Sequence, residues 1–234
     1  MYRFKKFIIK YIFKYPKMRK TIKELVVDYN YLPSEWHYIK LKEICDDILN
    51  TAKVDVVVEG IENVPKDTCV FYAIHQSLID PLLFLYINKE IGFILKKELK
   101  KYEVIDDIVK VTNSLYMNRE DTKEGLKTIL EAIENIKKGH SYVIFPEGTR
   151  TGNQLKEFHA GSFKMSVKTK TPIVPVCIMN TKEAIESKNM KKTSVKIKIL
   201  KPITYEEYKD KNTKVIADTV KDLIQQEIMN TLNN

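Results

Sequence analysis

The stretch AIHQSLID, residues 73–80, ends an apolar run with a histidine and places an aspartate five positions later. Ser77 can cap a helix that begins here, so Asp80 would lie in its first turn with its carboxylate near the His75 ring. A carboxylate on one ring nitrogen leaves the other free to take a proton from a hydroxyl group. Alternatively, local hydrogen bonds satisfy His75, and Asp80 only favours the helix N-terminus. This corner, where a predicted strand meets a predicted helix, does not by itself decide between a catalytic and a structural role for His75.

A second corner, FPEGTR at residues 145–150, also follows an apolar run. A turn that contains glycine exposes backbone N–H groups, and the planar guanidinium of Arg150 suits a phosphate. A surface turn with an Arg–Glu pair is the alternative. Arg119 ends another apolar segment, and Pro175 lies inside the run IVPVCI. Proline gives up a ladder hydrogen bond, so Pro175 indicates an edge strand, a bulge or a special site.

Alternating strands and helices must position these residues. Strands are expected at 54–60, 68–74, 92–96, 114–118, 141–145, 173–179 and 194–200. Helices are expected at 18–29, 38–50, 78–88, 98–110, 121–138, 160–169 and 214–231. This order predicts an α/β domain with a mixed, largely parallel sheet flanked by helices. Both corners fall where a strand ends, and ligands bind at the carboxyl ends of the strands in such sheets. The alternation in SVKIKIL predicts an edge or half-exposed strand.

The N-terminus carries most of the formal net charge of +9, because residues 1–20 hold eight basic side chains and no acid. Apolar residues at helical spacing face an arc of lysines, which is typical of a helix that lies in a membrane interface. A helix that packs on its own domain is the alternative. The residues predicted to meet the membrane are Phe4, Phe7, Ile8, Tyr11, Ile12, Lys6, Lys10 and Lys14. We therefore expect an N-terminal helical membrane-interface segment at 1–50 and an α/β domain at 51–234.

Composition makes several other classes of protein unexpected. No segment is apolar over the roughly 20 residues that a membrane span needs. The N-terminal segment has neither an unbroken apolar centre nor a cleavage site, so a secretory signal is not expected. Cys45, Cys69 and Cys177 form no CxxC pair, so we expect a reducing cytosol and neither a disulfide framework nor a zinc site. Beyond the N-terminus there is no basic stripe, so nucleic acid is not an expected partner.

The order of these motifs resembles the glycerolipid acyltransferase family, which includes the 1-acyl-sn-glycerol-3-phosphate acyltransferases. The four blocks are His75 with Asp80, the strand ending in Arg119, FPEGTR, and PIVPV. The resemblance implies that His75 is the general base and Asp80 its orienting carboxylate. It implies an acceptor pocket for glycerol phosphate formed by Lys96, Arg119, Glu147, Gly148, Thr149 and Arg150. Pro175 and its strand would help to line the acyl-donor site.

Three positions depart from the family's pattern. The family usually has Asn before the histidine, where this chain has Ile74. Its second block usually opens with Gly and has Asp before the arginine, where this chain has Asn113 and Asn118. The departures bear on the identity of the acceptor.

The resemblance implies acyl transfer from acyl-CoA or acyl carrier protein to the free hydroxyl of lysophosphatidic acid, which makes phosphatidic acid in phospholipid biosynthesis. No cofactor or metal is expected. The expected partners are the acyl donor and a phospholipid surface, with the protein held peripherally at the cytoplasmic face of the membrane. The alternatives are another lyso-lipid acceptor, a weakly active lipid-binding protein of the same fold, and a hydrolase that releases the fatty acid.

Overall fold

The computed structural model describes residues 14–29, 34–87, 90–118, 120–150, 155–186 and 192–232. Its strands are β1 (Val54–Glu59), β2 (Val70–Ala73), β3 (Ile91–Lys96), β4 (Leu115–Met117), β5 (Ser141–Ile144), β6 (Ile173–Met179) and β7 (Thr193–Ile199). Its α-helices are α1 (Tyr15–Asp28), α2 (Ser34–Thr51), α3 (Asp80–Leu83), α4 (Glu103–Val111), α5 (Thr122–Lys137), α6 (Lys164–Thr169), α7 (Thr181–Glu186), α8 (Tyr205–Tyr208) and α9 (Thr213–Leu232).

Most of these elements lie where the sequence predicts them, but some helices differ. The helix expected at 78–88 is the single turn α3, which continues as a 3-10 turn at Phe84–Tyr86. Pro81 favours a helical first turn, while the following residues adopt the tighter winding that is common at helix ends. Two short helices, α7 and α8, were not predicted because each covers fewer than two turns.

The sheet has the order β1-β7-β6-β2-β5-β3-β4. Strands β6, β2, β5, β3 and β4 pair in parallel, whereas β7 runs antiparallel to β6 and parallel to β1. The predicted mixed, largely parallel α/β sheet is therefore confirmed. Because these five strands share one direction, their carboxyl ends form one edge, which we call the C-terminal edge.

The core explains why the central strands are continuously apolar. Every residue of β2, β5 and β6 is buried, as expected where helices cover both faces of a sheet. Helix α9 contributes Ile216, Val220 and Ile224 to this core, and α2 contributes Cys45 and Leu49. A rigid, fully covered centre holds the strand ends in place at the C-terminal edge.

The alternating strand SVKIKIL is half-exposed, as predicted, but it is not at an edge. As β7 it lies between β1 and β6, with Val195 and Ile197 buried and its lysines turned outward. Two acidic residues make this possible inside the sheet: Glu59 accepts from Lys196 at 2.6 Å and Glu227 from Lys198 at 2.6 Å. The alternation therefore reflects one solvated face and not an unpaired edge.

Pro175 also occupies a central strand, β6, where pairing to β7 stops. Val176 is opposite Ile199 in the antiparallel ladder, and the Pro175 carbonyl accepts from the Leu200 N–H at 3.0 Å. In an extended strand the N–H and C=O of one residue face the same neighbour. The missing N–H therefore faces the segment after β7, and the pairing of Pro175 with Tyr72 of β2 is kept.

Of the predicted membrane residues, only Lys14 lies within the described residues, and the other seven fall in residues 1–13. Lys14 pairs with Asp47 of α2 at 2.5 Å. The helix that follows, α1, buries Ile22 and Leu25 and packs on α4, where Arg19 pairs with Glu103. Over the described ranges, no helix combines the length and the apolar character needed to cross a membrane.

Candidate active site

Three adjacent strands bring the candidate site residues to the C-terminal edge. Strand β5 lies between β2 and β3, with Ile144 opposite Tyr72 of β2. Paired strands are about 4.8 Å apart, so the loops after them begin side by side. His75 follows the end of β2 by two residues, FPEGTR begins directly after β5, and Lys96 is the last residue of β3. Parallel topology thus brings together residues that are up to 75 positions apart in the sequence.

The contact predicted between His75 and Asp80 is present. The His75 Nδ1 atom lies 2.8 Å from Asp80 Oδ2, and the His75 side chain is 21% exposed while that of Asp80 is fully buried. A proton on Nδ1 satisfies the carboxylate, which leaves the lone pair of Nε2 to accept a proton. The arrangement can therefore serve general-base chemistry on a hydroxyl group.

Asp80 also holds the loop around the histidine. Its Oδ2 atom accepts from the backbone N–H groups of Gln76 at 2.6 Å and Ser77 at 2.8 Å. The prediction that Ser77 caps the helix is wrong, because Ile79 precedes α3 and makes no side-chain cap. The carboxylate of Asp80 takes over the task of binding these backbone N–H groups, and charge-assisted bonds of this kind are the stronger ones.

Aromatic packing fixes the plane of the imidazole. The His75 ring stacks on Phe145, with centroids 4.5 Å apart and planes 29° apart. Phe145 in turn meets Phe84 edge to face at 6.2 Å. Contacts of this type add about 0.5–1.5 kcal/mol beyond burial. Sequence reasoning missed the stack, although the signal was present: Phe145 is the first residue after β5, next to the strand that delivers His75.

The FPEGTR turn depends on its glycine. Gly148 has a φ of +70°, a left-handed conformation that other residues adopt at a cost. Its N–H donates to the Phe145 carbonyl at 3.0 Å, and the His159 N–H donates to the Pro146 carbonyl at 3.0 Å. The first bond ties the turn to the end of β5, and the second ties it to a segment further along the chain.

The alternative of an Arg–Glu pair on a surface turn does not describe this loop. Glu147 is only 3% exposed and its carboxylate accepts from two backbone N–H groups: those of His75 at 3.2 Å and Lys156 at 3.0 Å. Thr149 and Arg150 are exposed, and Arg150 makes no ion pair within the residues that the structure describes. The loop therefore presents an exposed guanidinium whose charge no described residue neutralises.

Lys96 adds a second cation to the same edge. It is exposed at the end of β3 and, over the described ranges, takes part in no ion pair, whereas its neighbour Lys97 pairs with Glu124. Arg119, the predicted phosphate ligand after β4, falls outside the described residues. Within the described part of the chain, two cations without ion-pair partners, Lys96 and Arg150, thus lie at the ends of the adjacent strands β3 and β5.

The three departures from the family pattern have structural explanations. Asn113 has a φ of +51°, and asparagine is the residue that best replaces glycine in this left-handed region. Asn118 donates from Nδ2 to Glu124 Oε2 at 2.9 Å and accepts from the Glu120 N–H at 3.1 Å, so it organises the turn after β4. Ile74 is 2% exposed and belongs to the core. Asn113 and Asn118 thus act on the local backbone, whereas Ile74 packs in the core.

Other features of the described residues lie away from this edge. A partly open cavity of about 50 Å³ has Gly92 and Ser141 among its lining residues, at the amino ends of β3 and β5 and so at the opposite end of the sheet. Within the ranges described, no group of three or more His, Cys, Asp or Glu side chains is arranged to hold a metal ion. Burial raises the pKa of the thiols of Cys45 and Cys177 to about 12, so these cysteines are structural.

Comparison with known proteins places this geometry in a family. The family model Acyltransferase matches residues 55–179, which include both corners. A 1-acyl-sn-glycerol-3-phosphate acyltransferase of Borreliella burgdorferi is 34% identical over 133 residues, or 56% of this chain and 53% of that protein. A probable 1-acyl-sn-glycerol-3-phosphate acyltransferase of Mycoplasma pneumoniae is 30% identical over 163 residues, or 67% of this chain and 61% of that protein.

The fold is also that of a solved structure. The crystal structure of the 1-acyl-sn-glycerophosphate (LPA) acyltransferase PlsC from Thermotoga maritima superposes with a TM-score of 0.82 at 23% identity, covering 100% of this chain and 99% of that one. The two curated relatives, by contrast, are matched over little more than half their length. The matching family model, which spans more than half of the sequence, shows that this chain belongs to the Acyltransferase family.

Proposed function

We propose that this protein moves a fatty acyl group from acyl-CoA or acyl carrier protein to the free hydroxyl of 1-acyl-glycerol-3-phosphate, which makes phosphatidic acid. The observation that carries the proposal is the His75–Asp80 pair at an edge that also holds Lys96 and Arg150. A base prepared for a hydroxyl group, on the same edge as cations that pair with no described carboxylate, suits an acceptor with both a hydroxyl and a phosphate. The names of the relatives agree with this substrate.

In the proposed reaction, His75 and Asp80 handle the proton. His75 Nε2 accepts the proton of the acceptor hydroxyl as its oxygen attacks the thioester carbonyl carbon. The tetrahedral adduct collapses as the C–S bond breaks, and the imidazolium returns the proton to the leaving thiolate. Asp80 stabilises the positive charge that the ring carries between these steps. No redox step occurs, so the reaction balances without a cofactor.

The remaining roles follow the family resemblance. Lys96, Arg119 and Arg150 would bind the acceptor phosphate, and Gly148 and Thr149 would shape the pocket around the glycerol. Pro175, in the strand beside β2, would border the path of the acyl donor. Both substrates carry long acyl chains, so the enzyme would act peripherally at the cytoplasmic face of a membrane. Residues 1–13 supply the basic and aromatic side chains for that contact.

An acyl-transfer assay that crosses donors with acceptors tests the proposal. Radiolabelled acyl-CoA and acyl carrier protein are each offered with a panel of lyso-lipids, and the product lipids are separated and counted. We expect phosphatidic acid from lysophosphatidic acid in the wild type and a loss of about 10²–10⁴-fold in His75→Ala. Free fatty acid as the main product would indicate a hydrolase. Tight lipid binding without any acyl-lipid product would indicate a binding protein.

A further inference from the structure

The carboxylate of Glu147 joins two loops at the candidate active site. Its Oε1 atom accepts from the backbone N–H of His75 at 3.2 Å, and its Oε2 atom accepts from the backbone N–H of Lys156 at 3.0 Å. Glu147 is 3% exposed. One side chain from the loop after β5 thus holds the loop after β2 and the far end of its own loop.

The contact with His75 is made to the backbone of the candidate base. Three neighbours now fix this one residue: Asp80 binds Nδ1, Phe145 packs on the ring face, and Glu147 holds the main-chain nitrogen. The first two contacts set the rotation of the imidazole. The third ties the main chain of His75 to the FPEGTR turn, which carries Arg150.

The same geometry argues against a direct contact between Glu147 and the acceptor. Both carboxylate oxygens already accept hydrogen bonds from the backbone, and the side chain faces the protein interior. A carboxylate in contact with the acceptor phosphate would also face a like charge, which disfavours binding. A buried carboxylate with backbone donors instead suits a brace, that is, a side chain that holds two backbone segments at a fixed distance. Its two charge-assisted bonds offset part of the cost of its desolvation.

We propose that Glu147 is a positioning residue: it sets the distance between His75 and the phosphate-binding loop and does not bind the acceptor. The proposal rests on the acyl-transfer function proposed above. It differs from the role that the family resemblance implies, in which Glu147 belongs to the glycerol-phosphate pocket. A displacement of the base by about 1 Å can cost about 100-fold in rate, so the brace has a kinetic consequence.

Glu147→Gln in the full-length protein tests this role. Glutamine keeps the length, but its amide nitrogen must meet one of the two backbone N–H donors, so one contact is lost. We expect kcat to fall about 10- to 100-fold with the KM for lysophosphatidic acid within about 2-fold of the wild type. Glu62→Gln, at an exposed glutamate in the 3-10 turn after β1, is the matched control and should change neither constant.

Opposite kinetics would overturn the proposal: a raised KM for the acceptor with an unchanged kcat means that Glu147 binds the acceptor. Wild-type kcat and KM in folded Glu147→Gln would equally exclude a positioning role. Glu147→Asp adds a check on reach, because it keeps the charge but is one methylene shorter. Recovery of kcat in Glu147→Asp would mean that charge, and not the two-point brace, is what matters.

Amide hydrogen exchange, followed by NMR, separates this proposal from the enzyme assignment. In the wild type the N–H groups of His75 and Lys156 should exchange more slowly than that of the exposed Arg150, and Glu147→Gln should speed exchange at one or both. Exchange at His75 and Lys156 as fast as at Arg150 in the wild type would refute the brace. An inactive wild type with protected amides would instead refute the acyl-transfer function and leave the brace intact.

Discussion

Replacement of Asp80 by asparagine tests the pairing with His75 most directly, because the side chain keeps its shape and loses its charge. In the wild type, one oxygen, Oδ2, faces three donors: the His75 ring and the N–H groups of Gln76 and Ser77. The other oxygen, Oδ1, is buried without a hydrogen-bond partner in the described part of the chain. An asparagine can keep its carbonyl oxygen on the three donors only by burying its NH₂ group where Oδ1 now lies.

The expected magnitudes differ for stability and for activity. Three hydrogen bonds to a charged acceptor become neutral ones, a loss of about 1 kcal/mol each. Relief from burying a carboxylate offsets much of that loss, so the free energy of unfolding should change by less than about 2 kcal/mol. Activity has no such compensation, because the imidazolium loses its counter-charge. We expect kcat/KM to fall about 10²–10⁴-fold, which corresponds to about 3–5.5 kcal/mol.

The assay pairs acyl-transfer kinetics with urea denaturation of the same variant. Asp121→Asn is a matched control, because Asp121 also accepts from two backbone N–H groups, at 2.9 and 3.1 Å, at the start of α5. Asparagine is as good an N-cap as aspartate, so both measurements should stay at wild-type values. If Asp80→Asn retained more than about a third of the wild-type kcat/KM, the reasoning that Asp80 prepares His75 for catalysis would be refuted.

Three further predictions concern the acceptor, the backbone and the membrane. Arg150→Ala should raise the KM for lysophosphatidic acid by about 10- to 100-fold and leave the KM for acyl-CoA unchanged. Arg150→Lys should recover only part of the loss, because a point charge makes no bidentate contact. Equal effects on both substrates would show that Arg150 is not in the acceptor pocket. Asn113 has a left-handed φ of +51°, so Asn113→Val should lower the free energy of unfolding by about 1–2 kcal/mol. Asn113→Gly should match the wild type within about 1 kcal/mol in urea unfolding. Equal losses in the two variants would show that asparagine does not replace the family's glycine here for a backbone reason. Deletion of residues 1–13 spares Arg19 and its ion pairs with α4. The shortened protein should no longer co-sediment with anionic vesicles but should still acylate a detergent-solubilised acceptor. If it sediments as well as the full chain, another surface binds the membrane.

The sequence by itself determined the class of fold and the two corners at which chemistry is concentrated. Local rules were sufficient, because a buried parallel strand is continuously apolar and an amphipathic helix such as α5 repeats every 3.6 residues. The spacing of His75 and Asp80 was equally local, since one short turn brings them within 2.8 Å of each other. The order of the motifs along the chain indicated the family before any geometry was known.

The tertiary structure decided which distant residues share the C-terminal edge and what each does there. Strand order depends on pairings between segments far apart in sequence, so no local pattern could place β7 inside the sheet or Pro175 in a central strand. Burial likewise decided the environment of Glu147. In the sequence it stands three positions before Arg150 and looks like half of a surface ion pair, but in the fold its buried carboxylate binds the backbone N–H groups of His75 and Lys156. A carboxylate removed from water must take whatever donors the fold brings to it, and only the packed chain determines which donors those are.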